Sequence, residues 1–102
     1  MIIYVDIDGT ICSDSEKNIE GKWDYTLSKP RYNQIMKINK LYNEGNEVVY
    51  WTARGSGTGI DWSNLTKFQL KEWGCRYTRI ETQKKPHYNL FICDKSKRIE
   101  EL

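Results

Sequence analysis

The sequence has little of what would mark a secreted, membrane-spanning or metal-stapled protein. Its 102 residues include three cysteines, Cys12, Cys75 and Cys93. An odd number with no close pair suggests neither a disulfide framework nor a zinc site, and fits a reducing compartment. The single histidine, His87, has no Asp or Ser at a spacing recognisable for a catalytic triad and reads as a surface residue. No apolar run approaches the roughly 18 residues that a membrane helix needs. Met1-Ile2-Ile3-Tyr4-Val5 is too short for a signal peptide and lacks its basic start. The expected location is therefore the cytoplasm. Charge of one sign is also scarce. The net charge of +2 is too mild to point to nucleic acid and reads as a mixed solvated surface. There is no internal repeat, low-complexity tract or interdomain linker.

What remains is the composition of one folded unit. Hydrophobic residues make up 38% of the chain, with four Trp and seven Tyr. Disordered chains have few aromatics and a strong charge imbalance. The length supports a single domain over residues 1–102 with one core, and leaves no room for a separate substrate domain.

Apolar runs and helical periods alternate along the chain. Ile2 to Ile7 is a short, β-branched buried strand that runs into a turn at Gly9. Residues 10–29 are polar and irregular. A loop of that length beside a strand end is often functional, here as a flap or small hairpin. Ser28-Lys29-Pro30 predicts a helix start, with Ser28 or Lys29 at the cap and Pro30 in the first turn. Ile35, Ile38, Leu41 and Tyr42 follow at helical spacing, and Gly45 ends the helix. Glu47 to Thr52 predicts a second buried strand, and residues 53–60 a glycine-rich loop. Asp61 is a candidate cap for a second helix. Trp62, Leu65, Phe68 or Gln69, and Trp73 would be its apolar face, and Gly74 its end. Tyr77 to Glu81 predicts a third strand and Leu90 to Cys93 a fourth. A short amphipathic helix spans Ser96 to Leu102. This order implies an α/β domain, a parallel sheet covered by helices.

Ligands of such sheets bind beyond the carboxyl ends of the strands. There the first strand delivers Asp6-Ile7-Asp8 and the second Thr52-Ala53-Arg54. Lys84 and Lys85 precede the fourth strand, which ends at Asp94. Three carboxylates, a hydroxyl and a lysine at one edge suit a phosphate and a hard divalent cation.

Asp6-Ile7-Asp8-Gly9-Thr10 resembles the first motif of the haloacid dehalogenase superfamily. Thr52, Lys85 and Asp94 fall where its second, third and fourth motifs would fall. The run of Thr52-Ala53-Arg54, then Trp73-Gly74, then Lys85-Pro86 before a short strand is similar to small capsular-polysaccharide-biosynthesis-like and phage members. The likeness covers nearly the whole chain. It implies a three-layer, Rossmannoid domain with sheet order 3-2-1-4 and no cap domain. No insertion after Asp8, or between the second helix and Lys85, is long enough for a cap.

The resemblance also implies roles. Asp6 would be the nucleophile of a phosphatase, splitting a slow hydrolysis into two transfers through an aspartyl-phosphate. Asp8 would act as general acid and then base. Thr52 would donate to phosphate, and Lys85 would neutralise the transferring oxygens. Mg²⁺ would be held by Asp6, the Asp8 backbone carbonyl and Asp94. Gly9 permits a sharp bend, and N–H groups around Gly9 and Thr10 could hold phosphate oxygens. Arg54 is a candidate for a substrate anion or for a structural ion pair. Trp23 and Tyr25 could stack a sugar or base, or form the apolar face of the flap.

Two residues depart from the subgroup: Cys93 stands for the first Asp of its final Asp-Asp pair, and Asn89 for an acidic residue. They raise a second reading, a catalytically weak module that binds a phosphorylated ligand or partner. A third is a polynucleotide-end phosphatase, although no contiguous basic stripe supports it. Capless relatives take small phosphorylated molecules or exposed phosphates on larger ones, and some complete their site by oligomerising; a membrane partner is not expected. A thiolate phosphatase, by resemblance, would need Arg six positions after its cysteine. Asn18, Glu81 and Ile99 stand there.

Overall fold

The computed structural model describes residues 1–14, 16–54, 59–81 and 90–92. Among these residues four strands form one sheet in the hydrogen-bonded order β3-β2-β1-β4. They are β1 (Ile2–Asp6), β2 (Glu47–Trp51), β3 (Arg79–Glu81) and β4 (Leu90–Ile92), and every neighbouring pair is parallel. The register sets Asp6 beside Trp51, Trp51 beside Glu81, and Val5 beside Ile92, so all four strands finish at one edge. Among the described residues two α-helices accompany them, α1 (Tyr32–Asn43) and α2 (Ser63–Glu72). Among the described residues no helix is long and apolar enough to cross a membrane.

A parallel sheet must be covered, because side chains alternate between its two faces. Ile3 and Val5 of β1, Val48 and Tyr50 of β2 and Ile92 of β4 point to one face. They pack with Ile35 and Ile38 of α1 and with Leu70 and Trp73 at α2. The alternate residues Tyr4 and Val49 are buried on the other face, beside Ile2 and Trp51. Ions edge that second face. Arg79 donates to Glu81 at 2.7 Å and to Glu47 at 2.8 Å, and the Tyr4 hydroxyl donates to Glu81 at 3.2 Å. Half-exposed pairs of this kind contribute little each.

Both helices end in the same way. The N–H of Gly45 (φ 97°) bonds Tyr42 and that of Asn46 bonds Leu41. At α2 the N–H of Gly74 (φ 72°) bonds Lys71 and that of Cys75 bonds Leu70. These are Schellman closures, in which a left-handed residue lets two terminal carbonyls find donors, and glycine adopts that conformation without a Cβ penalty.

The helix starts differ from the sequence pattern. Pro30 is not in the first turn of α1. It bridges Cys12, while Ser13 N–H bonds Lys29 O and Arg31 N–H bonds Ile11 O, so the helix begins at Tyr32. Tertiary pairing with the loop after β1 overrides the local signal. At α2, Asp61 accepts the Ser63 N–H at 2.9 Å from one position before the Trp62 cap. The buried side of α2 is Thr66, Gln69, Leu70 and Trp73, whereas Phe68 is exposed. Of the expected face, Gln69 rather than Phe68 is buried together with Trp73, and Leu70 and Thr66 join them, so two of the buried members are polar. Strands β1 and β3 are shorter than their apolar runs, and β3 keeps only Arg79–Glu81. The expected closing helix at 96–102 lies outside the described residues.

Leu70 is fully buried between α2 and the sheet. Leu70→Ala is expected to destabilise the fold by about 2–5 kcal/mol, the usual cost of such a cavity. Urea unfolding followed by tryptophan fluorescence measures it, and a loss below about 1 kcal/mol would contradict this packing.

Candidate active site

Asp6 is the last residue of β1, and Ile7, fully buried, anchors the bend that follows. Gly9 has a φ of 81°, a conformation that favours glycine. Its N–H bonds Cys12 O at 3.1 Å, while the N–H groups of Thr10 and Ile11 both bond Ile7 O at 3.1 Å. The turn therefore consumes the N–H groups of Gly9 and Thr10. Thr10 is also fully buried, and among the described residues its hydroxyl has no partner. The sequence expected N–H groups around Gly9 and Thr10 to meet a phosphate; in this conformation the donors of both residues close the loop. Arg31 at the cap of α1 donates to Gly9 O at 3.1 Å and Thr10 O at 3.4 Å, stitching the loop to the helix. A cation there opposes the helix dipole, and these carbonyls offset that cost.

The second strand brings two further residues. Thr52 follows β2; its N–H bonds Glu81 O at 3.0 Å and its hydroxyl oxygen accepts the Arg54 N–H at 3.1 Å. That acceptor bond leaves the hydroxyl proton to donate elsewhere. Arg54 then turns back to Asp8. Nε donates to Oδ2 at 3.0 Å and Nη2 to Oδ1 at 2.8 Å, a two-pronged ion pair. The arginine side chain is 1% exposed and that of Asp8 18%. Nη1 donates to Thr66 at 3.2 Å and to Gln69 at 2.6 Å, and the guanidinium lies 4.7 Å from the Tyr25 ring centroid.

Of the two roles open to Arg54 in the sequence, the geometry shows the ion pair. Tyr25 belongs to a 3-10 turn, Tyr25–Leu27, capped by Asp24. Its ring meets Trp62 edge-on at 5.0 Å, and its carbonyl accepts Gln69 Nε2 at 2.7 Å. Earlier in the flap, Lys17 bridges Trp23 in a small hairpin and its ammonium sits 4.9 Å from the Trp23 ring. Tyr25 is therefore a structural aromatic, and Trp23 an exposed one.

Asp6, Asp8, Thr52 and Arg54 are brought to one edge. Lys84, Lys85, His87, Asn89, Cys93 and Asp94 lie outside the described residues, although β4 carries the chain to that edge at Ile92. Among the described residues, no group of three or more His, Cys, Asp or Glu could hold a metal ion. The donors present, the Asp6 carboxylate and the Asp8 carbonyl, are hard oxygens of the kind Mg²⁺ takes, two of the three protein ligands expected. Gln69, Thr66 and Arg31 were not legible as site residues. Gln69 and Thr66 carry one signal, polar side chains three apart on a buried helical face; Arg31 carries none.

Cys12 packs under this loop, its thiol 3.6 Å from both Ile7 O and Asp8 Oδ1. Burial first, and the Asp8 charge second, push it up to about 12. No family model, curated protein or solved structure matches the chain.

In a Cys75→Ser/Cys93→Ser background, Cys12 is expected to resist an aromatic disulfide reagent at pH 8 until urea unfolds the chain, because the thiolate is the reacting form. Equal rates in native and unfolded protein would contradict its burial. The sign for stability follows from the same shift. The contribution is whole below the ordinary thiol value of 9.0 and is lost as pH rises toward about 12, because the unfolded chain loses the proton first. Cys12→Ala should flatten that alkaline loss.

Proposed function

We propose that this chain is a Mg²⁺-dependent phosphomonoester hydrolase of the haloacid dehalogenase type, a capless three-layer domain with Asp6 as nucleophile. The observation that carries the reading is the end of β1. Two carboxylates two residues apart stand at the carboxyl edge of a parallel sheet. The second is held by a buried arginine, and a threonine hydroxyl follows the neighbouring strand. A turn that needed only Asp and Gly for local bending would not require the clamp from residue 54.

In this reading an Asp6 carboxylate oxygen attacks phosphorus and the ester P–O bond breaks. Asp8 acts here in its protonated form and gives that proton to the departing oxygen; the carboxylate it becomes is the form whose two oxygens accept from Arg54. Asp8 then takes a proton from water, which attacks the phosphorus of phospho-Asp6 and releases inorganic phosphate and free Asp6. Thr52 and Lys85 neutralise the transferring oxygens. Asp6, the Asp8 carbonyl and Asp94 would hold Mg²⁺, which when bound supplies further positive charge to the phosphate. The substrate class is a phosphorylated small molecule or an exposed phosphate on a larger one. The strand order β3-β2-β1-β4 supports the domain type.

The experiment is turnover of p-nitrophenyl phosphate, a metabolite panel and oligonucleotides phosphorylated at 3′ or 5′ ends. Turnover is expected with Mg²⁺ and not with a chelator. Asp6→Asn should fall to the blank rate, and Asp8→Asn by roughly 10²- to 10⁴-fold on unactivated esters. Metal-dependent turnover surviving Asp6→Asn would remove Asp6 from its role. Calorimetric binding of phosphate with no turnover on any substrate would replace hydrolysis by the binding-module reading.

A further inference from the structure

Gln69 stands on the buried side of α2, 7% exposed, where an apolar residue would ordinarily sit. A buried amide costs free energy unless it is hydrogen-bonded, so its partners say why it is tolerated. Both ends are used. Oε1 accepts from Arg54 Nη1 at 2.6 Å, and Nε2 donates to the Tyr25 carbonyl at 2.7 Å. A guanidinium can only donate and a carbonyl can only accept, so the amide has one orientation that satisfies both. Arg54 grips both oxygens of Asp8 from the other side, and the Tyr25 ring stacks on the same guanidinium. One chain of contacts thus runs from the flap turn through α2 and Arg54 to Asp8.

We propose that Gln69 is a positioning residue, which ties the Tyr25–Leu27 turn to Arg54 so that docking of the turn sets the orientation of the Asp8 carboxyl group. The inference rests on the hydrolytic reading, because it gives Asp8 the proton transfer. A group placed 1 Å away from its productive position can cost about 100-fold in rate. The loss from a misplaced acid also depends on the ester. An alkyl phosphate needs a proton on its leaving oxygen, whereas an aryl phosphate with a stabilised phenolate leaves without one. A purely structural Gln69 would lower turnover of both esters alike.

The test compares kcat on an alkyl and an activated aryl phosphate for the unaltered protein, Gln69→Met and Thr66→Val. Gln69→Met keeps size and removes both hydrogen bonds. Thr66→Val is the milder change, removing only the 3.2 Å acceptor of the same guanidinium. Thermal unfolding shows that each variant is folded. The ratio of alkyl to aryl turnover is expected to fall by about 10- to 100-fold in Gln69→Met, and in the same direction but less in Thr66→Val, with KM little changed. Asp8→Asn should show the same ester dependence. If both folded variants lose the two esters equally, or lose neither, the positioning role is overturned while the hydrolytic reading stands. If Gln69→Met does not fold, Thr66→Val decides alone, by whether it shifts the ratio. If the unaltered protein turns over neither ester, both readings fall together.

Discussion

A guanidinium carries five N–H donors and no acceptor, and it cannot shed its charge at any pH a protein survives. Arg54 holds such a group with its side chain almost wholly out of water. Burial of that kind is tolerated only where the charge is paired and the donors are met. Asp8 supplies the countercharge, Thr66 and Gln69 take Nη1, and Tyr25 covers the planar face. Three separate stretches of chain are thereby drawn to this one side chain of the turn after β2: the loop after β1, the flap and α2. The edge of the sheet is organised around this requirement more than around any apolar contact.

The sheet makes the arrangement affordable. β1 lies between β2 and β4, buried on both faces, so the backbone that leads to Asp6 and Asp8 is among the best anchored in the molecule. Beyond the strand the loop is closed by its own N–H groups and by Arg31. The two carboxylates therefore stand on a rigid base, in keeping with a site that must hold reacting groups in place. The same closure explains why Gly9 and Thr10 do not offer their N–H groups outward: a turn that uses its donors internally has none left for a ligand.

The haloacid dehalogenase reading proposed above draws on the motif order in the chain and on the edge to which the fold brings Asp6, Asp8 and Thr52. Motif residues far apart in sequence, Asp6 with Asp8 and Thr52 with Arg54, meet because parallel strands end together. The Asp8–Arg54 pair adds something that the motif order does not contain. It makes Arg54 part of the support for Asp8 rather than a free hand for substrate.

Much of the architecture was legible in the chain because it follows from local chemistry. Short apolar runs became β1, β2 and β4, Ile35 and Ile38 became the buried stripe of α1, and Gly45 and Gly74 ended the helices, since only a left-handed residue closes a Schellman turn without strain. The carboxylates at the end of β1 were legible for the same reason. The start of α1, the burial of Thr66 on α2 and the partners of Arg54 were not. Pro30 has a local preference for a helix start, but pairing with Cys12 outweighs it. Gln69 and Thr66 look like interruptions of an apolar stripe until the guanidinium they satisfy is in view. The sequence alone determined which residues can carry charge and where the chain can bend. Only the tertiary structure decided which charge faces which, because a part-buried ion pair between residues 46 apart is a property of two strands and a helix brought together.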